Sequence, residues 1–204
     1  LLLIAVIKTF VKSEKISALK LKSQIKLGII IGIPYAFNVV FQQIGLNTVS
    51  AGETGFITSL YTVMVPILGW IIFKHKLRPV NIAAVFLSVA GLYLVTNGGM
   101  SFNFGMVLLF IGAICAAIQI LMIGLFIDDN DPLILVTVQV GIGTIINLVM
   151  AIVLREPFEI QMLYDSIWPI VYSGILSVGV ANFCQFLGQK RVSPATTAIA
   201  CSSE

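Results

Sequence analysis

Charge is what this chain has least of. Only 10% of its 204 residues are Asp, Glu, Lys or Arg, whereas a water-soluble domain carries roughly 25% to cover its surface. Histidine occurs once, as His75, and cysteine three times, as Cys115, Cys184 and Cys201. A single histidine removes most metal-ligand and general-base chemistry, and neither HExxH nor GxSxG occurs. The cysteines fall inside apolar runs, without ligand spacing or a loop setting suited to a disulfide, so they read as small core residues. Paired carboxylates inside apolar segments are also missing, which takes away the usual apparatus of intramembrane hydrolysis. No cofactor and no metal are expected, and an enzyme is the class with least support.

Apolar sequence takes the place of charge. The residues AVILMFWYC make up 58% of the chain and the mean hydropathy is +1.05. A helix needs roughly 20 apolar residues to cross a hydrocarbon core of about 30 Å. Full spans are predicted at 27–47, 56–73, 80–96, 104–127, 133–154 and 167–188, with partial spans at 1–11 and from 195 onward. The expectation is an all-α, polytopic protein of the lipid bilayer, multi-pass in the cell (inner) membrane. The chain starts at Leu1 within an apolar run and stops at Glu204, soon after a helix start at Ser193-Pro194, so it reads as an internal fragment of a longer protein.

The basic residues give an orientation. Lys8, Lys12, Lys15, Lys20, Lys22 and Lys26 precede the first full span; Lys74, Lys76 and Arg78 follow the second; Lys190 and Arg191 precede Pro194. Even numbers of crossings separate these groups, so eleven of the twelve basic residues share one side, and only Arg155 lies opposite. By the positive-inside rule that side is cytoplasmic. The acidic turn Asp128-Asp129-Asn130-Asp131 also falls there, which the rule tolerates because acids contribute little to it. The net charge of +3 is thus a topological signal, with no implication of nucleic acid.

A repeat lies within the chain. Displaced by 143 positions, Gln42 falls on Gln185, Gly45 on Gly188, Val49 on Val192, Ser50 on Ser193, Thr54 on Thr197 and Ser59 on Ser202. Biased membrane composition alone supplies roughly two such coincidences in a window of this length. Five spans separate the copies, so they must cross in opposite directions. Inverted repeats of this kind are a common plan for secondary transporters, with the substrate near the midplane.

The stretch from Asn47 to Thr96 resembles the first half of the EamA family of the drug/metabolite transporter superfamily. A small-residue cluster from Thr48 to Gly55 opens a helix, followed by Phe56-Ile57-Thr58-Ser59-Leu60-Tyr61, Pro66 with Leu68-Gly69, a basic turn, and Ala90-Gly91-Leu92-Tyr93-Leu94. The second half supplies Gly105 onward, Asp131-Pro132 before a helix holding Gln139, and Val192-Ser193-Pro194-Ala195 running to Ser203-Glu204. The resemblance implies a ten-helix fold of two five-helix inverted repeats, truncated here. Residues 1–97 would hold helices two to five and 98–204 helices six to nine. It also implies a permease or exporter of small metabolites. One departure stands out: the family often has a Glu in the turn closing its fourth helix, where this chain has Lys74-His75-Lys76.

Polar side chains inside spans are site candidates, because lipid penalises them unless they face protein or water. Tyr35, Asn38 and Gln42 form one stripe, three and four residues apart. Asn182 and Gln185 form another, with Gln185 the repeat mate of Gln42. Thr58, Tyr61, Gln119 and Gln139 complete the set of substrate-binding candidates. Such amides and hydroxyls both donate and accept hydrogen bonds, which suits a neutral or zwitterionic solute such as an amino acid. Each also has a structural reading as interhelical glue. Glu204 is the candidate for proton coupling, with a helix-end acid as its plainer reading, and Glu53 reads as a solvated helix-start charge. The glycines at 28 and 32 have the small-xxx-small spacing of a close helix contact. The expected function is secondary transport by alternating access; the alternative is a non-transporting scaffold or sensor on the same fold. The expected partners are a small-molecule substrate and the bilayer, with homodimerisation left open.

Overall fold

The computed structural model describes residues 18–73, 86–87, 90–91, 103–155 and 160–202. Among them the regular structure is entirely helical. Helix α1 is Ala18–Leu46, α2 Ala51–Ser59, α3 Tyr61–Phe73, α4 Phe104–Phe126 and α5 Pro132–Val153. Short α6 (Ile160–Asp165) leads to α7 (Ile167–Tyr172), a π-helical stretch π1 (Ser173–Ala181) and α8 (Asn182–Gln189), and α9 is Pro194–Cys201. Five segments are long and apolar enough to cross a membrane: Leu19–Leu46, Ala51–Ile72, Phe104–Phe126, Pro132–Val153 and Ile167–Gln189. The protein is an integral, multi-pass membrane protein. The expected partial span 1–11 lies outside the described residues, and of 80–96 only 86–87 and 90–91 are described, all helical.

Two spans differ from expectation in their ends. The first begins at Ala18 instead of 27, so Lys20, Lys22 and Lys26 are helical, not part of a loop. Its 29 residues rise about 43 Å, well beyond the hydrocarbon core, and all three lysines are exposed. Long basic side chains at a helix end reach the interface without ending the helix. The second span begins at Ala51, set by a capping box: Ser50 Oγ accepts from the Glu53 amide, and the Glu53 carboxylate accepts from the Ser50 amide at 3.2 Å and from Ser50 Oγ at 2.7 Å. That span is interrupted at Leu60, not at Pro66, which α3 carries inside it. Around the interruption Thr58 Oγ1 donates to the carbonyls of Thr54 (2.9 Å) and Gly55 (3.0 Å), Ser59 Oγ to Phe56 (2.7 Å), and Thr62 Oγ1 to Ser59. Hydroxyls bonded back onto their own helix compete for its carbonyls and bend it.

The repeat carries over into geometry. Helices α1 and α8 end at Leu46 and Gln189, 143 positions apart, and the next helices start at Ala51 and Pro194 with the same offset. The caps between match as well: Ser50 has φ −63° and ψ 154°, Ser193 φ −66° and ψ 153°, and each accepts a backbone amide three residues on. The Thr54 amide bonds the Ser50 carbonyl at 2.9 Å and that of Thr197 bonds Ser193 at 3.0 Å. Ser59 Oγ donates to Phe56 at 2.7 Å and Ser202 Oγ to Ile199 at 2.9 Å.

The chain divides into two compact units, Leu1–Ile33 with Phe126–Arg191, and Pro34–Leu125 with Val192–Glu204. In the second, α3, α4 and α9 meet around Val65, Ala117, Ile120, Leu121 and Ala198. Another cluster joins Val49 and Ile57 to Met106 and Leu109 of α4. Glycine lets the end of α1 lie close to α4: a Cβ on Gly45 would sit 2.5 Å from Leu109 Cγ. In the first unit, the Gly28/Gly32 pair is used in the same way. A Cβ on Gly28 would be 2.7 Å from Val138 Cβ, and one on Gly32 would be 3.1 Å from Ile142 Cβ and 3.2 Å from Gln139 Cα. Helices α1 and α5 therefore meet nearly backbone to backbone.

Candidate functional site

Asp131 caps α5, its carboxylate accepting from the Leu133 amide at 3.0 Å, and Pro132 takes the first helical position. From that start Pro132, Leu135, Val136, Gln139 and Gly143 come round to a buried face at helical spacing. Gln139 sits mid-helix with no exposed surface. One side of its backbone is against Gly32. Across from it, its Nε2 donates to Asn182 Oδ1 at 3.4 Å, a bond between residues 43 apart in the chain.

Asn182 is where π1 becomes α8. Its Nδ2 reaches back to the carbonyls of Val178 (3.0 Å) and Ser177 (3.5 Å). The i→i+5 register of a π segment is rare and concentrates at functional sites. Here the Asn182 side chain closes the end of that segment and turns its own oxygen toward Gln139. At 3.4 Å the amide–amide bond is at the long limit for N–H···O, so it is weak and open to exchange. Interhelical bonds in membranes average about 0.6 kcal/mol in any case. A solute carrying one donor and one acceptor could replace it without leaving an amide unpaired.

In the second unit the expected residues have different surroundings. Half-buried Asn38 has its Oδ1 against Gly112 of α4, 3.4 Å from where a Cβ would be. Gln42 and Tyr35 are half-buried on the same helix, and Gln119 is 5% exposed on α4. Thr58 donates to its own helix, as described above, and Tyr61 packs on the Val65 cluster. In the first unit, Gln185 is half-buried on α8, three residues after Asn182. Among the expected residues, a hydrogen bond across helices joins Gln139 to Asn182. Glu204 lies outside the described residues.

Four buried polar residues escaped the sequence reading as site candidates: Gln24, Thr54, Gln189 and Thr197. Thr54 and Thr197 could have been found as repeat mates, and Gln24 as the member four residues before Gly28. Every buried polar side chain among the described residues is an amide or a hydroxyl, with no charge. No group of three or more His, Cys, Asp or Glu that could hold a metal ion occurs among them.

Comparison with known proteins agrees with this architecture. The model of the EamA-like transporter family matches residues 1–97 and 103–204. An uncharacterized transporter of Archaeoglobus fulgidus is 31% identical over 136 residues, covering 67% of this chain and 44% of the relative. The uncharacterized transporter YyaM of Bacillus subtilis is 28% identical over 153 residues, covering 72% and 49% respectively. The chain thus spans about half the length of these relatives. No solved structure matches it.

Proposed function

Because the chain belongs to the EamA-like transporter family, we propose that it forms part of a secondary transporter that moves small polar metabolites, such as amino acids or related compounds, across the cell membrane. The observation that carries this reading is the long amide pair between buried Gln139 and half-buried Asn182, within membrane-crossing helices beside a π segment. An amide pair suits a neutral or zwitterionic solute, and the absence of buried charge among the described residues favours the same class. Alternating access between the repeats 1–97 and 98–204 is the mechanism that an inverted repeat makes available. Glu204 is assigned to proton coupling in this scheme, which Glu204→Gln tests by the loss of accumulation driven by a pH gradient.

The test is counterflow in proteoliposomes of the full-length protein against labelled amino acids, nucleosides and sugars. Saturable exchange of an amino acid or close relative is expected. Gln139→Leu and Asn182→Leu should insert and fold, yet exchange at least tenfold more slowly. Unchanged exchange in both variants would return the pair to a packing role.

A further inference from the structure

Gln24 is 1% exposed and its Oε1 has no hydrogen-bond partner among the described residues. It lies four residues before Gly28 and eight before Gly32, on one face of α1. That face is the one seated on α5. Gly28 meets Val138 and the Leu135 carbonyl, and Gly32 meets Ile142 and Gln139, so four residues forward on α1 is four residues forward on α5. The two helices run in the same direction, and one turn back from Gly28 sets Gln24 beside the first turn of α5.

The same end of α5 is also reached by α8. Successive membrane crossings alternate in direction, so α8 runs opposite to α5. Asn182 of α8 meets Gln139. Gln189, seven residues on, returns to the same face two turns later and is 4% exposed. It lies about 10 Å from Asn182 along the axis, and so level with the start of α5. Two buried glutamines therefore flank that end, one from each neighbouring helix. Exposed Lys20, Lys22 and Lys26 of α1, and Lys190 and Arg191 after α8, mark it as the cytoplasmic end.

A buried carbonyl oxygen that accepts nothing destabilises the fold, whereas leucine fills nearly the same volume without that cost. Packing thus gives no account of Gln24. We infer that Gln24, with Gln189 of α8 at the same level, is a second station for the transported molecule, at the cytoplasmic end of α5. It takes the hydrogen-bond-donating group (amino, amide or hydroxyl) of a small neutral or zwitterionic solute. The station rests on the transport reading above and extends it. A solute crossing this unit exchanges the lower amides for Gln139 and Asn182 about two helical turns further on.

Two measurements on the full-length protein test it. In a background with its cysteines replaced, Gln24→Cys is treated with a membrane-impermeant methanethiosulfonate from each side. Lys20→Cys serves as the open control and Ile31→Cys, fully buried, as the sealed one. Gln24→Cys should react from the lysine-rich side at least tenfold faster than Ile31→Cys; equal inertness of the two would overturn the station. In the second measurement, Gln24→Leu should keep or raise the melting temperature while counterflow of labelled L-serine falls at least tenfold. Unchanged counterflow in Gln24→Leu would overturn the station and leave the transport reading intact. Absence of L-serine exchange in the wild-type protein would count against the proposed substrate class, and the labelling result would then decide the station alone.

Discussion

Gly28→Ala gives the sharpest test of the packing, because two effects of known size oppose each other. Alanine is favoured over glycine inside a helix by about 1 kcal/mol. At position 28, however, the new methyl would sit 2.7 Å from Val138 Cβ and 2.8 Å from Val138 Cγ1, with the Leu135 carbonyl at 3.4 Å. Val138 Cβ is fixed to its own helix, so relief requires α1 and α5 to separate. Overpacking of this sort costs about 1–3 kcal/mol, and the net result is a loss of about 0–2 kcal/mol. Gly141→Ala, on α5 with nothing within 4 Å of the added Cβ, keeps the propensity gain without the clash. The two variants should therefore differ by about 1–3 kcal/mol, read as detergent-solubilised melting temperature at about 2–4 °C per kcal/mol for a chain of this size. Adding Val138→Ala to Gly28→Ala removes the Cγ1 contact but not the Cβ contact, so rescue should be partial. Equal shifts in Gly28→Ala and Gly141→Ala would refute the close seam.

The repeated caps and the end of α5 supply two further predictions. Ser50→Ala and Ser193→Ala should each lose about 1 kcal/mol of stability. The loss should be larger at Ser50, which Glu53 also engages through its carboxylate; equal melting temperatures for wild type and both variants would contradict the cap assignment. Arg155, just past α5, has φ 53°, a left-handed conformation that costs a residue with a Cβ roughly 1–2 kcal/mol. Arg155→Gly should raise the melting temperature by a few degrees, at about 2–4 °C per kcal/mol, without altering topology, and a lower melting temperature would mean that its guanidinium holds an interaction worth more than that strain.

What could be read from the sequence was what a few neighbouring residues decide. Ser193-Pro194 and Asp131-Pro132 announced helix starts because a cap and a proline act within one turn. The glycines at 28 and 32 announced a contact because their spacing alone puts them on one face. Eleven basic residues gave one orientation, and the parallel course of α1 and α5, seen at Gly28 and Gly32, fits it. The π segment was not legible, since no residue in SGILSVGVA marks an i→i+5 register. Gln24 was lost because lysines at 20, 22 and 26 made a helix end look like a loop. The Gln139–Asn182 pair could be nominated residue by residue, but nothing local says which amide meets which. The interruption of the second span does not lie at Pro66, the strongest helix breaker in it, which α3 carries inside. It lies at Leu60 instead, where three hydroxyls act together and no single one is a breaker.

The polar groups inside the spans fall into classes that bear unequally on function. Several threonine hydroxyls bond back to their own helix: Thr137 donates to Leu133 at 2.6 Å and Thr144 to Val140 at 2.9 Å, as Thr58 does to Thr54. Asn147 behaves likewise, donating to Gly143 at 2.8 Å. Such groups are satisfied wherever their helix goes, so their presence in a span says little about a solute. Longer side chains can bridge helices, and that costs stability whenever the geometry is imperfect. Asn103 bridges without compromise, donating to the Thr48 carbonyl at 2.9 Å while its oxygen accepts from the Met106 amide at the start of α4. That is what an amide used only as structure looks like. Gln139 and Asn182 meet across helices through a bond at the long limit, while Asn182 also donates to Val178 at 3.0 Å, and the Gln24 oxygen accepts no hydrogen bond among the described residues. On the proposed function, the long Gln139–Asn182 bond and the Gln24 oxygen are where a solute would exchange hydrogen bonds, and Asn103, fully engaged at both ends of its amide, is not.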